Sequence, residues 1–324
     1  MRDSFGRNVH SMRISVTDRC NMRCDYCVSG GKLQLRPEHE LLSLPEIETV
    51  IRAAAELGFD SFRFTGGEPL VREGVPELIE RVGALPGVRK LSLSTNGSLL
   101  ARHVDRLAAA GVKALNISLD SLVPERFRKI TRGGSLARVL EGVRAALRRE
   151  CFTVKLNAVI TRGVNDDELA SLAALTLDQP VTVRFIEYMP LGAWRAPQDR
   201  PDPTVSSHEM LERLERDFDI ERNVSGPVGE GPARYVQIRG GQGFVGLISP
   251  VFQPFCERCN RIRLTSDGYI KSCLLQDERF ALRDWLRGPD YSFPELRQRI
   301  QEAVLLKPRE HSHGRSMDMS TVGG

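Results

Sequence analysis

The chain has 324 residues, 41% apolar and 27% charged, enough to bury a large core in one big domain or two smaller ones and too apolar for intrinsic disorder. Its net charge of +4, from 46 Lys and Arg against 42 Asp and Glu, is mild for a nucleic-acid binder and argues against a polymeric nucleic acid as partner. No apolar run reaches the roughly 18 residues of a membrane span, and the opening "MRDSFGRNVH" has no apolar signal-type segment, so the chain is expected to be cytoplasmic, with no membrane partner.

The first β-compatible run, "MRISVT", leads into "CNMRCDYC", which places Cys20, Cys24 and Cys27 at the end of a strand. Seven cysteines are an odd number for a disulfide framework, and a reducing compartment disfavours one, so clustered cysteines point to metal. Three thiolates on a cubane-type [4Fe-4S] cluster leave one iron open to an exogenous molecule. The alternative is a structural zinc site, which needs a fourth ligand; His10 and His39 flank the loop.

The second run, "FDSFRF", continues into "TGGEPLV", where Gly66 and Gly67 permit close backbone approach to a ligand or form an ordinary strand-to-helix turn. The runs "VRKLSLST", "VKALNISLD", "FTVKLNAVI" and "VTVRFIEYM" follow, separated by helical periodicity such as "LPEIETVIRAAAELG" and "ARHVDRLAAAGV". Six strand-helix units from about residue 12 to about residue 190 predict an α/β fold, with a parallel sheet either open or curved into a partial barrel. Functional residues are then expected at the C-terminal ends of the strands.

The pattern changes after Gly192. "APQDRPDPTV" reads as a linker, Ser207 to Asp217 as a helix, and "RYVQIRGGQGFVGLIS" as short strands turning at Gly240-Gly241. The expected division is therefore 1–192 and 193–324. A second cysteine group, Cys256, Cys259 and Cys273, lacks the paired spacing of a zinc ribbon and reads as a second three-cysteine cluster. Arg261 and Arg263 lie at alternate positions of a predicted strand; two guanidiniums on one face suit an anion such as a polyphosphate, or simply face solvent. Helical segments follow near "RFALRDWLRG" and "FPELRQRIQEAVLL", and the stretch from Lys307 to Gly324 has no regular periodicity. Cys151 belongs to neither group and is expected to be a buried structural thiol.

The Cys-x3-Cys-x2-Cys loop, with Tyr26 before its last cysteine, resembles the signature of radical S-adenosylmethionine (SAM) enzymes, and "TGGEP" resembles their glycine-rich SAM element. With "STNGSLL", "NISLDSL", "NAVITRGVNDDE", "RFIEYMPLG", "CERCNRIRLTSDGYIKSCL" and the final "VGG", nearly the whole chain is similar to one family, GTP 3′,8-cyclase (molybdenum cofactor biosynthesis protein A).

That resemblance implies an incomplete (β/α)6 barrel carrying a first [4Fe-4S] cluster on Cys20, Cys24 and Cys27. A smaller C-terminal α+β region would carry a second on Cys256, Cys259 and Cys273. It implies SAM contacts from Tyr26, Gly67, Ser118 and Met189, and GTP contacts from Arg13, Arg63, Ser94, Lys155, Arg261 and Arg263. The terminal Gly323 and Gly324 resemble a double-glycine tail that enters the active site, with Arg315 in the same element. Implied partners are GTP as substrate and a cyclic pyranopterin monophosphate synthase that takes the product; a homodimer is compatible, and no electron donor is indicated. Arg13, Arg63 and Lys155 also fall within predicted parallel strands, where a charge is costly unless it faces a cavity or a partner, the alternative being a strand-edge charge.

Two stretches depart from the family pattern. "VSGGKLQLRP" stands after Cys27 where Met-Pro and a shorter, more acidic segment are common, and "PLGAWRAPQ" matches loosely. Two other functions stay open on the residues: a peptide-modifying radical SAM enzyme with an auxiliary cluster, and a non-catalytic zinc-binding module.

Overall fold

The computed structural model describes residues 1–28, 35–189, 202–222, 224–227, 231–250, 252–276 and 278–310. Strand alternates with helix through the first part: β1 (Ser11–Ser15), α1 (Leu44–Glu56), β2 (Ser61–Thr65), α2 (Val75–Gly83), β3 (Lys90–Thr95), α3 (Leu100–Ala109) and β4 (Val112–Ser118). Two helices follow β4, α4 (Pro124–Thr131) and α5 (Leu136–Leu147), before β5 (Thr153–Ile160), α6 (Leu169–Asp178), β6 (Thr182–Glu187) and α7 (Ser207–Asp217). Local chemistry sets these boundaries. α1 begins in a capping box: Ser43 Oγ accepts from the Glu46 amide at 3.3 Å while Glu46 Oε2 accepts from the Ser43 amide at 2.7 Å. Its Ile47, Val50, Ile51 and Ala54 recur at helical spacing and enter the core.

β1 to β6 run parallel in sequence order. The remaining elements are β7 (Ile220–Glu221), β8 (Arg234–Ile238), β9 (Phe244–Ile248), β10 (Arg261–Leu264), β11 (Tyr269–Lys271), β12 (Phe280–Ala281), α8 (Arg283–Leu286) and α9 (Phe293–Leu305). The sheet order is β12-β11-β10-β1-β2-β3-β4-β5-β6-β9-β8-β7. Chain beyond residue 193 thus extends both edges, with β10 parallel to β1 and β9 parallel to β6. β8 and β9 form a hairpin through Gly240, whose φ of +80° is the left-handed conformation glycine adopts without strain.

The sheet curls. Arg184 on β6 and Arg261 on β10 interact electrostatically although six strand spacings separate them, about 29 Å if the sheet were flat. Only a partial barrel brings them face to face. Helices cover the outside, α1 packing on α2 and α9, α3 on α2 and α5, and α7 on α6.

One expectation needs correction, and one flanking histidine of the zinc alternative is otherwise engaged. Cys151 is exposed, because it sits in the turn after α5 and ahead of Thr153, where β5 begins. His10 is placed to steady β-structure and not to close a metal site: Nδ1 lies 2.8 Å from Asp60 Oδ1 and Nε2 lies 3.2 Å from Asn260 Nδ2.

Candidate active site

Parallel strands put all their C-terminal ends on one rim of the barrel, and the loop after β1 carries Cys20, Cys24 and Cys27 there. Its backbone is pinned from two sides. The Arg23 and Asp25 amides donate to the Thr131 and Ile130 carbonyls, both at 3.0 Å, while the Gly67 and Glu68 amides donate to the Thr17 and Arg19 carbonyls at 2.8 and 2.9 Å. A Cβ on Gly67 would stand 2.3 Å from the Arg19 carbonyl oxygen, so only glycine permits this approach. Glu68, fully buried, accepts from Leu70 N, Thr95 Oγ1 and Asn96 N, and burial pushes its carboxyl up to about 7.

No disulfide joins any of the seven cysteines. Among the described residues no three His, Cys, Asp or Glu side chains converge on a single ion. The three thiols of the loop nevertheless feel one another's charge: burial, then Asp120, Cys27 and Cys20, push Cys24 well up, and burial raises Cys20. Thiolates there need a cationic partner. Three soft donors in one partly buried loop, steadied by the Met22 amide at 3.4 Å from Cys20 Sγ, fit an iron-sulfur cluster.

Tyr26 turns from the cysteine loop toward β4, its hydroxyl donating to Asp120 Oδ2 at 2.8 Å. The Val159 amide donates to Asp120 Oδ1 at 2.9 Å, and burial pushes this carboxyl up to about 6. Beside it opens a cavity of about 830 Å³, lined by Tyr26, Val159, Thr161, Asn165 and Tyr188 among others. Ser118 ends β4 and Met189 follows β6 on the same rim, but neither they nor Gly67 line this cavity.

The barrel interior is cationic. Strand register sets Arg263, Arg13, Arg63 and Ser92 in one row across β10, β1, β2 and β3, and Ser94, Asn116 and Lys155 in another across β3, β4 and β5. Burial, then Arg184, Arg261 and Arg263, lower Arg63 to about 9; burial, then Arg184, Arg63 and Lys90, lower Lys155 to about 7. Arg13 is lowered well below its ordinary value by burial and by Arg263, Arg261, Arg63 and Arg184. The hydrogen bonds here run to neutral oxygens: Arg63 Nε to Ser92 Oγ at 3.2 Å, Arg184 Nε to Asn157 Oδ1 at 2.8 Å and Arg184 to Asn116 Oδ1 at 2.5 Å. Mutually repelling cations gathered in one interior, with neutral hydrogen-bond partners, suit a highly charged anion.

The second trio lies at the opposite rim. β10 runs parallel to β1 and starts at Arg261, opposite Ser11, so Cys259 sits at the N-terminal end; Cys273 follows β11, which returns antiparallel. About five strand residues, roughly 16 Å, separate the rims. Burial raises Cys259, but Lys307 and Arg261 outweigh it and bring the thiol to about 7. Arg261 also stacks on Phe255, 5.2 Å from the ring centre.

The structure thus gathers Arg13, Arg63, Lys155, Arg261 and Arg263 around one interior and places Ser94 in the row with Lys155. Gly323, Gly324 and Arg315 lie outside the described residues, as do most of the divergent stretch after Cys27 and most of "PLGAWRAPQ". Sequence reasoning missed Arg184, although "VTVRFIEYM" carries the same signal as Arg13 and Arg63, a charge inside a strand. It also missed Asp120 and Lys307, whose roles depend on partners far away in sequence.

Residues 14–176 match the family model described as Radical SAM superfamily, and residues 181–313 that described as Molybdenum Cofactor Synthesis C. The chain is 42% identical to the GTP 3′,8-cyclase of Alkaliphilus oremlandii (strain OhILAs), with 100% of both chains covered. It is 42% identical to that of Geobacter sulfurreducens, covering 99% of each, and 43% identical to that of Pelotomaculum thermopropionicum, covering 96% of this chain and 95% of the relative. Among solved structures, Streptococcus suis SuiB bound to S-adenosylmethionine aligns with a TM-score of 0.58 at 15% identity, over 90% of this chain and 68% of SuiB. Native anSMEcpe with bound AdoMet aligns at 0.56 and 16% identity, over 92% and 83%. These last two likenesses are of fold.

Proposed function

We infer the function from the premise that this chain belongs to the GTP 3′,8-cyclase family of the radical SAM superfamily. It is an enzyme that converts GTP to 3′,8-cyclo-7,8-dihydro-GTP, taking hydrogen from ribose C3′ and joining that carbon to guanine C8, in the first step of molybdenum cofactor biosynthesis. What ties this reaction to particular residues is one observation: a buried cationic interior between two cysteine trios on opposite rims.

On this reading Cys20, Cys24 and Cys27 would hold a [4Fe-4S] cluster, and Tyr26, Gly67, Ser118 and Met189 would hold SAM beside it. When bound, the cluster supplies the electron that cleaves SAM to methionine and the 5′-deoxyadenosyl radical. Arg13, Arg63, Lys155, Arg261 and Arg263, with Ser94, grip the triphosphate and orient the ribose toward the first rim; Arg184 joins them. The preorganised cations need not be gathered when GTP arrives, so binding energy goes into orientation. Cys256, Cys259 and Cys273 would hold a second [4Fe-4S] cluster to engage the base, and Gly323 and Gly324 are assigned a role in the site by family resemblance alone. Residues 1–192 would then hold SAM and 193–324 the second cluster, with GTP gripped from both parts of one sheet. The product passes to a cyclic pyranopterin monophosphate synthase in the cytoplasm. Among the described residues no helix is long and apolar enough to cross a membrane.

Family membership at full length favours this reading over a peptide-modifying enzyme or a zinc module. The test is mass spectrometry after anaerobic cluster reconstitution and incubation with SAM, a reductant and GTP. A GTP-dependent rise in 5′-deoxyadenosine with a GTP isomer is expected. Deoxyadenosine without any change in GTP would move the substrate elsewhere, and zinc without acid-labile sulfide would sink both enzyme readings.

A further inference from the structure

The segment after α9 is fastened to the second cysteine site by two buried cations. Lys307 is only 3% exposed. Its Nζ donates to the Arg261 carbonyl at 3.0 Å and to the Ser272 carbonyl at 2.7 Å. The first carbonyl lies two residues after Cys259 and the second immediately before Cys273, so a single ammonium spans the start of β10 and the end of β11. Arg7 holds the adjacent backbone. Its guanidinium donates to the Pro308 carbonyl at 2.6 Å, the Arg309 carbonyl at 3.1 Å and the Cys256 carbonyl at 2.8 Å, while Nε pairs with buried Asp3 at 2.5 Å. The backbone at or beside all three cysteines of the trio is therefore held, through carbonyls, by Lys307 and Arg7.

Buried charges of this kind are costly unless they have a counter-charge, and carbonyl dipoles alone are a partial one. Arg7 has Asp3 as its counter-charge, and for Lys307 the group held by the three cysteines would complete it. We propose that Lys307 is a positioning residue for the group bound by Cys256, Cys259 and Cys273, setting their geometry and the charge balance of that group, with Arg7 locking the segment that carries it. This rests on the reading of the trio as a cluster site. A fixed cation beside an iron-sulfur cluster stabilises its more negative, reduced form and raises its potential.

The experiment uses the full chain with Cys20, Cys24 and Cys27 changed to Ala, so that only the second trio can hold metal, reconstituted anaerobically with iron and sulfide. Iron, sulfide and zinc per chain are measured before and after dialysis against a chelator, and the midpoint potential is read by electron paramagnetic resonance. Four irons per chain support the cluster reading and zinc overturns it. Lys307→Met, with an unchanged circular dichroism spectrum, is expected to lose metal to the chelator faster. If it holds a cluster, its potential should fall by at least ~59 mV, a tenfold shift of a one-electron equilibrium. Lys307→Arg, which keeps the cation, should recover most of both effects. Metal retention unchanged in Lys307→Met overturns the proposal whichever metal is present, as does an unchanged potential. Equal loss in Lys307→Arg and Lys307→Met together with a collapsed spectrum would also overturn it, by making the residue one that merely supports the fold.

Discussion

The buried cations give the sharpest expectations at the scale of single residues. Arg263 stands in the row with Arg13 and Arg63, and a charge-assisted hydrogen bond contributes about 2 kcal/mol. Arg263→Ala is accordingly expected to weaken GTP binding ~30-fold while leaving SAM cleavage without GTP largely intact; unchanged affinity by equilibrium dialysis would refute its role. Lys155 yields a pH dependence. Without ligand its ammonium, depressed by burial and by Arg184, Arg63 and Lys90, loses its proton near pH 7. A bound triphosphate favours the charged form and raises the pKa, so binding takes up a proton above that pH. The Kd for GTP should be independent of this group below about 7 and rise above it, by up to about tenfold per pH unit. Lys155→Met should remove that component of the slope, and the comparison cancels the nucleotide's own titration. Identical pH profiles for both proteins would show that Lys155 does not sense the ligand's charge.

At the scale of elements, the turn after β2 and the loop after β1 act as one unit. The Gly67 and Glu68 amides bond to Thr17 and Arg19, and the missing Cβ of Gly67 allows it. Gly67→Ala must push the two loops apart, an overpacking cost of about 1–3 kcal/mol. The strain falls on the cysteine loop, since β2 itself is embedded between β1 and β3. The expected outcome is loss of iron from the first trio and weakened SAM binding, with a modest fall in melting temperature. A variant with full iron at that trio and wild-type SAM affinity would mean the loops adapt. β10 is the other decisive element: its parallel pairing with β1 carries Arg261 and Arg263 to the interior and leaves Cys259 at the rim opposite Cys20.

For the whole molecule, sheet order matters more than domain boundaries. β9 and β10 pair with β6 and β1, so a fragment ending at residue 192 would bare both edges of a six-stranded parallel sheet. It would also lose Val245, Leu247, Ile262 and Leu264 from the core. Bare, apolar edges recruit other chains. The fragment is expected to aggregate, read by size-exclusion chromatography and light scattering; a soluble monomer with cooperative unfolding would show that the first six strands are self-sufficient.

Much of this was legible in the sequence because the signals are local. The strand-helix alternation, the helix from Ser207 to Asp217 and the turn at Gly240 follow from periodicity, capping and backbone preference, which depend on near neighbours. The cysteine spacings likewise single out two candidate donor sets. Long-range pairing was not legible: nothing in "RIRL" says that it lies against "SMRIS", and nothing in "LLKPRE" says that Lys307 reaches the backbone between Cys259 and Cys273. Cys151 was misjudged because burial depends on whether a residue falls just inside a strand or in the turn before it. The sequence by itself determined most of the elements, the candidate ligands and the family. Only the tertiary structure decided that both edges of the six-stranded parallel sheet are extended by the C-terminal chain and that the cations face one another, because hydrogen-bonded register and curvature are properties of strands brought together from distant parts of the chain.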